Sequence, residues 1–355
     1  MTRVLFVSHT YPSGVFRVGS HHLSRELAVQ GHEVLHVSTS FSLVHQLLRR
    51  VDASQMTAYR SNANGSRSGV IDLIPRTVLP VRYLRQARWG SVLGNVGWKR
   101  ADVTFVDEPM MWSRTLRDVS GTLVYRPTDL YLEGVKERRQ RQILRHVDGV
   151  VATSRTVLEG LGPLEIPSMV MENGVEHASF ASADGPRRRS ATYVGALDGR
   201  FDWNAIEILS RGFPEWTFSI VGPGSPPRPF PNNVEILGPV PYPQIPLELS
   251  RSRIGLLPLS SDPLNAGRSP MKLYEYLSAG LVVVSRQTSQ LAPNADVGIF
   301  TYDSDTSLLS AFAAAAGAAN AAANLAGVAH AASQDWSRKA QELLRFARSL
   351  RPRQP

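Results

Sequence analysis

Strand-length apolar runs that alternate with helix-length amphipathic or basic stretches, in two successive series, most narrowly limit what this chain can fold into. The first series holds "VLFVSH", "EVLHVS", "ADVTFVDE", "GTLVYRPTD", "VDGVVATS" and "IPSMVMENGVEHASF". The second holds "ATYVGALDG", "FSIVGPG", "VEILGPV", "RIGLLPL" and "LVVVS". Strands separated by helices in this way predict parallel sheets covered on both faces, the α/β class. Between the series lies "ASADGPRRRSA", which has linker composition. A chain of 355 residues exceeds what one core usually supports. The expected division is a doubly wound, Rossmann-like domain over 1–182 and a second over 190–334. "SQDWSRKAQELLRFARSLR" reads as a terminal amphipathic helix, and 335–355 is the expected C-terminal helical segment.

Composition narrows the possibilities further. The absence of cysteine rules out disulfide staples and thiolate metal sites and suits a cytoplasmic protein. "MTRVLFVSHTYPSG" reads as a buried strand and lacks a signal-peptide pattern. No stretch has the strongly apolar length of a membrane-spanning helix. The alanine-rich run from Ala311 to Ala332 comes closest, but Asn320, Asn324 and His330 interrupt it, and one helix or two short ones is its best reading. A net charge of +9 calls for an anionic partner. Arginines cluster at Arg82, Arg85 and Arg88, at Arg138, Arg139 and Arg141, at Arg187 to Arg189, and at Arg345, Arg348, Arg351 and Arg353. No nucleic-acid module is present. "PVRYLRQARWGSVLGNVGWKR" mixes Arg82, Arg85, Arg88, Lys99 and Arg100 with Tyr83, Trp89 and Trp98, as an interfacial membrane-binding stretch does; a solvated helix with ordinary aromatic packing is the alternative.

"SPMKLYEYLSAGLVVVS" carries the chemistry. Ser269 reads as an N-cap and Pro270 as the first helical residue, which sets Met271 second, Lys272 third and Glu275 sixth. Gly280 stops the helix. Ser269, Lys272 and Glu275 then share one side, while Leu273 and Leu277 pack on a sheet. A helix N-terminus with a lysine favours an anion such as a diphosphate, and Glu275 stands where an adjoining ribose could offer hydroxyls. A surface salt bridge between Lys272 and Glu275 explains the spacing equally well. Gly195, with Ala196 and Leu197, and Gly222-Pro223-Gly224 favour the first reading, because both loops follow strands at the end where parallel sheets bind ligands.

In order, "YVGALDGRFDWNAIEIL", "FSIVGPG", "VEILGPVPYPQIPLELSRSRIGLLPL" and "SPMKLYEYLSAGLVVVS" resemble the nucleotide-sugar domain of GT-B glycosyltransferases. "NGVEHASF" resembles the segment before that family's interdomain linker. Within the superfamily, "LVYRPTD", "NGVEH", "MKLYEY" and the loop "FRVGSHHLS" are most similar to bacterial exopolysaccharide enzymes such as the membrane-associated glucuronosyltransferase of xanthan assembly. The resemblance implies an acceptor-binding first domain, a donor-binding second domain and a terminal helix that returns to the first. It implies that Lys272 meets the donor's phosphates or an acidic sugar, that Glu275 meets the ribose, and that Gly195, Ala196 and Leu197 approach the nucleotide. Asp129 matches the proposed catalytic base. Two departures stand out. Retaining members often carry a glutamate eight residues before the one matched by Glu275, and here that residue is Gly267. Leu259 replaces a donor-pocket tyrosine of the xanthan enzyme.

Sugar transfer develops oxocarbenium character at the anomeric carbon and negative charge on the leaving diphosphate. An inverting enzyme needs a base on the acceptor side, and Asp129 suits that role or a helix cap for "LYLEGVKERR". His9 and His22 could line the acceptor side or be structural, and Arg17 could meet an acidic acceptor or phosphate. "DSD" at Asp303 to Asp305 has no supporting ligand set, so no essential metal is expected. The expectation is an inverting, metal-independent transferase that moves a sugar, a uronic acid among the candidates, from a nucleoside diphosphate to a lipid-linked or polysaccharide acceptor. Its place would be the inner face of the cytoplasmic membrane. A retaining transferase or an epimerase would use the same donor site and differ in product anomer; a non-catalytic sugar-binding protein would need no base.

Overall fold

The structure, a computed structural model, describes residues 1–10, 17–42, 44, 47, 69–77, 88–181, 187–267 and 269–352. Arg82, Tyr83, Arg85 and Arg353 therefore lie outside the described residues. The chain forms two compact units, Met1–Glu172 with Trp336–Pro355, and Asn173–Asp335.

In the first unit the strands are β1 (Arg3–Val7), β2 (Glu33–Val37), β3 (Phe41–Ser42), β4 (Val70–Leu73), β5 (Arg76–Thr77), β6 (Ala101–Val106), β7 (Ser120–Tyr125), β8 (Gly149–Ala152) and β9 (Ser168–Val170). Seven of them make a parallel sheet in the order β4-β2-β1-β6-β7-β8-β9, and β3 pairs with β5 apart from it. The central β1 is apolar and fully buried from Val4 to Val7, as a strand covered on both faces must be. The terminal helix Trp336–Ser349 packs on the helix Gly19–Val29. Gln30 Nε2 donates to the Ser337 carbonyl at 3.1 Å, and Arg348 donates to Thr2 Oγ1 at 2.7 Å.

Of the two readings of the basic aromatic stretch, aromatic packing holds for Trp89 and Trp98. Trp89 is fully buried and Trp98 nearly so, and both pack in a cluster with Leu93, Met111 and Leu116. Their rings are spent on the interior, so the described part of that stretch presents no aromatic belt.

The second unit contains β10 (Ser190–Val194), β11 (Thr217–Val221), β12 (Val234–Gly238), β13 (Ile254–Leu257), β14 (Val282–Arg286) and β15 (Ile299–Tyr302). They form one parallel sheet in the order β12-β11-β10-β13-β14-β15. Strand order reverses around β10, which has β11 on one side and β13 on the other. This is the switch point where an open α/β sheet leaves a crevice at its carboxyl ends. The alanine-rich run makes two helices, Asp305–Ala318 and Leu325–Ala332. Asn324 divides them: its Oδ1 accepts from Gly327 N at 3.1 Å, and its Nδ2 donates to Val297 O at 2.9 Å. Phe312 anchors the first of these helices among Phe213, Trp216 and Phe218.

Asn173 to Phe180 pack with the second unit, ahead of the boundary at 182 drawn from composition. Long-range bonds hold them there. The Asn173 amide donates to Ser269 Oγ at 2.9 Å, and the His177 amide donates to Asp335 Oδ2 at 3.2 Å.

Candidate functional site

The helix Met271–Ser278 begins one residue later than its sequence suggested. Pro270, with extended backbone, is the N-cap, and Ser269 does not cap, because its hydroxyl accepts from Asn173 and its carbonyl accepts from Asn173 Nδ2 at 2.7 Å. Met271 and Lys272 are therefore the first two helical residues. The far end follows expectation. Gly280, at φ +77°, donates to the Leu277 carbonyl and Leu281 donates to that of Tyr276, the paired bonds of a Schellman stop.

Tyr276 docks this helix on the sheet. Its ring fills the space beside Gly255 in β13, where a Cβ would stand 2.6 Å from Tyr276 Cγ. Its hydroxyl accepts from the Val194 amide, the last of β10, at 2.8 Å. The helix start is thereby fixed beside the first glycine loop. Backbone bonds join the two loops: Gly195 N donates to Val221 O at 2.8 Å, and Leu197 N donates to Pro223 O at 3.0 Å. A Cβ on Gly222 would stand 2.7 Å from the Gly195 carbonyl carbon, and one on Gly224 would stand 2.6 Å from Leu197 Cβ. These glycines are required by close backbone approach.

The Lys272 amine reaches this paired loop. It donates to Tyr193 Oη at 3.3 Å and stands 4.8 Å above the Tyr193 ring, while Tyr193 Oη donates to the Ala196 carbonyl at 2.9 Å. A Cβ at Gly195 would lie 2.6 Å from Lys272 Cε, so only glycine leaves the amine its place. One turn along, Glu275 is 6% exposed and accepts from Tyr242 Oη at 3.2 Å. Lys272 and Glu275 are thus not a solvated surface pair. Burial pushes the Glu275 carboxyl up to about 7, partly offset by the Lys272 amine and the Tyr242 hydroxyl and reinforced by Glu176. Since the folded state binds this proton more tightly than the unfolded chain, the group costs stability as pH rises from the ordinary carboxylate range to about 7. Tyr193, Tyr242 and Asn173 were not singled out in the sequence; Tyr193, two residues before the first loop glycine, carried the most local signal.

Asp129 lies half-buried in the turn after β7, where Thr128 Oγ1 donates to its Oδ2 at 3.1 Å. It caps no helix, because the next one runs Gly134–Leu144 with Glu133 ahead of it. Thr153 holds the turn through bonds to the Pro127 and Thr128 carbonyls, both 3.2 Å long. Around it stands a charged set that sequence reading missed. Arg126 and Asp107, each 1% exposed, form a two-pronged ion pair, and Lys136 Nζ donates to Glu108 Oε2 at 3.1 Å. Burial, then the carboxylates of Asp129, Glu108 and Asp107, drive the Tyr131 phenol upward.

The other first-unit candidates separate. His9 is half-buried at the end of β1, and its carbonyl accepts from Thr39 Oγ1 at 3.2 Å. Arg17 is exposed. His22 is a core ring rather than a lining one: it is 2% exposed and stacks on Trp336 at 5.2 Å and 3°. In the second unit, Asp303 Oδ1 accepts from Ser307 Oγ at 2.8 Å, beside a helix that Ser304 caps. Among the described residues no group of three His, Asp or Glu is placed to hold a metal ion.

Two all-parallel sheets in these strand orders, with glycine loops and a helix start at the switch point of the second, are the GT-B fold of glycosyltransferases. Residues 200–345 match a family described as glycosyl transferase-like. Over 130 residues the chain is 28% identical to TuaH of Bacillus subtilis (strain 168), named as a teichuronic acid biosynthesis glycosyltransferase. That stretch covers 32% of this chain and 33% of the relative, so the match spans about a third of that protein's length. The structure resembles sucrose-phosphate synthase from Thermosynechococcus elongatus with a TM-score of 0.70 at 13% identity, covering 98% of each chain. It also resembles Anabaena HepE in complex with UDP-glucose, with a TM-score of 0.66 at 14% identity, covering 98% of this chain and 100% of that one.

Proposed function

We propose that this chain is a glycosyltransferase that binds a nucleoside-diphosphate sugar in its second unit and passes the sugar to a lipid-linked or polysaccharide acceptor in envelope glycan synthesis. The observation that carries the reading is the Lys272 amine held over Gly195 beside a helix start, with the buried Glu275 one turn on. The amine and the dipole of the helix start meet the diphosphate and take up its growing charge without a metal ion. Gly222 and Gly224 let backbone approach the nucleotide, and Glu275 accepts from ribose hydroxyls. The UDP-glucose named with HepE and the teichuronic acid pathway named with TuaH support a UDP-sugar donor, with UDP-glucuronic acid among the candidates. Asp129 would take the proton from the acceptor hydroxyl, giving inversion, a reading favoured by its freedom from helix capping and by Gly267 at the retaining position. No described helix is long and apolar enough to cross a membrane, and a lipid-linked acceptor would place the work at the inner membrane face.

A thermal-shift panel of nucleotide sugars tests the reading, since a ligand that binds only the folded state raises the melting temperature. If none of the UDP-, GDP- or dTDP-sugars shifted it, the donor site would be wrong. With the donor so found, Asp129→Asn should lower kcat by at least about 100-fold while leaving donor affinity unchanged. Unimpaired turnover would remove Asp129 from the reaction, and a product of retained anomeric configuration by NMR would replace inversion with retention.

The pH dependence follows from Glu275. Only the ionised carboxylate accepts from both ribose hydroxyls, so donor affinity should rise with pH until it levels off above about 7. Below that the affinity should fall by about tenfold per pH unit. Titration calorimetry of a UDP-sugar, whose esterified diphosphate does not titrate in this range, reads this at several pH values, and Glu275→Gln should bind weakly with a flat profile. A parental profile identical to that of the variant would disprove the link.

A further inference from the structure

The helix Gly134–Leu144 buries Gln140 and Ile143 and turns its other side to solvent. Along that side Val135, Arg138, Gln142 and Arg145 are spaced as one helical face, with Arg141 adjoining, and all are exposed. Leu132 stands just ahead of the helix and is 68% exposed, and Val135 is 42% exposed. Among the described residues, these two are the one pair of large exposed apolar side chains within a helical turn of each other in sequence. Arg141 is 75% exposed and touches Glu137, a surface pair too weak to withhold the guanidinium from another anion. Two apolar tips beside three exposed guanidinium groups match a surface of negative headgroups over hydrocarbon. A soluble polyanion would use the charges and leave Leu132 and Val135 in water.

We infer that this face docks the first unit on an anionic lipid bilayer, with Arg138, Arg141 and Arg145 among the headgroups and Leu132 and Val135 in the acyl boundary. It rests on the lipid-linked acceptor proposed above, and it takes the place of the 80–100 stretch whose tryptophans are buried. The docking face starts three residues beyond Asp129, so an acceptor anchored in that bilayer would present its sugar close to the proposed base.

Vesicle flotation tests the inference, using phosphatidylcholine alone or mixed with phosphatidylglycerol. The parent chain should float with the mixed vesicles only and be released by raising the salt. The triple variant Arg138→Glu/Arg141→Glu/Arg145→Glu should lose on the order of 100-fold in partitioning. Leu132→Ser/Val135→Ser should bind more weakly and keep the salt dependence. Both variants should keep the parental thermal shift with UDP, which separates a failure of docking from a failure of the donor site. Flotation of the triple variant at the parental level would overturn the inference. So would binding of the parent to neither vesicle, or to dextran sulfate with loss in the triple variant and no flotation.

Discussion

Lys272→Ala should reduce kcat/KM for sugar transfer by about 100- to 1,000-fold, about 3 to 4 kcal/mol of transition-state stabilisation, while the fold persists. The amine stands at the loop pair, where charge would grow on the leaving phosphate of the proposed donor. A cation that strengthens its hold as the bond breaks acts on the transition state more than on the ground state. The loss should therefore fall on kcat as well as on donor affinity. Lys272→Arg should recover little, because the broader guanidinium meets Gly195 and the Tyr193 ring where the amine fits. Steady-state kinetics of the purified variants measures this, and a kcat within a few-fold of the parent would place the charge elsewhere.

Arg126→Met should cost about 3 to 5 kcal/mol and lower the melting transition of the first unit by about 10 °C. Asp107 is 1% exposed, and removing Arg126 leaves its carboxylate in the interior without its two-pronged partner. The double variant Asp107→Leu/Arg126→Met should regain much of the loss, since an apolar pair of similar volume asks for no desolvated charge. Because Arg126 opens the turn that carries Asp129, turnover should fall in the single variant even below its melting transition. Urea unfolding followed by tryptophan fluorescence reads the stability. A single variant as stable as the parent would show that the pair contributes nothing.

The parts of this architecture that could be read from sequence are those written in adjacent residues. Gly195, Gly222 and Gly224 each follow an apolar run, and Gly280 follows a helix with a strand behind it. Lys272 and Glu275 share a helical face by spacing alone. What escaped depends on partners far along the chain. Ser269 looks like a cap until Asn173, 96 residues away, takes both its hydroxyl and its carbonyl. His22 looks like a lining residue until Trp336 covers it. Trp89 and Trp98 have interfacial company in sequence and core company in space. The Asp107–Arg126 pair needed the β6–β7 register, in which Val106 lies beside Tyr125 and the next residue of each strand is charged. Tertiary contact between segments far apart in the chain, which sequence pattern leaves open, decided every one of these.

The first unit takes its last helix from residues 336 to 349, after the whole of the second unit has been threaded between. The second unit, from Asn173 to Asp335, is contiguous and carries its own closed set of strand pairings. During synthesis it can finish folding while the first still waits, with the His22 side of its opening helix bare, for Trp336 to emerge. The half of the molecule made first is thus the half completed last.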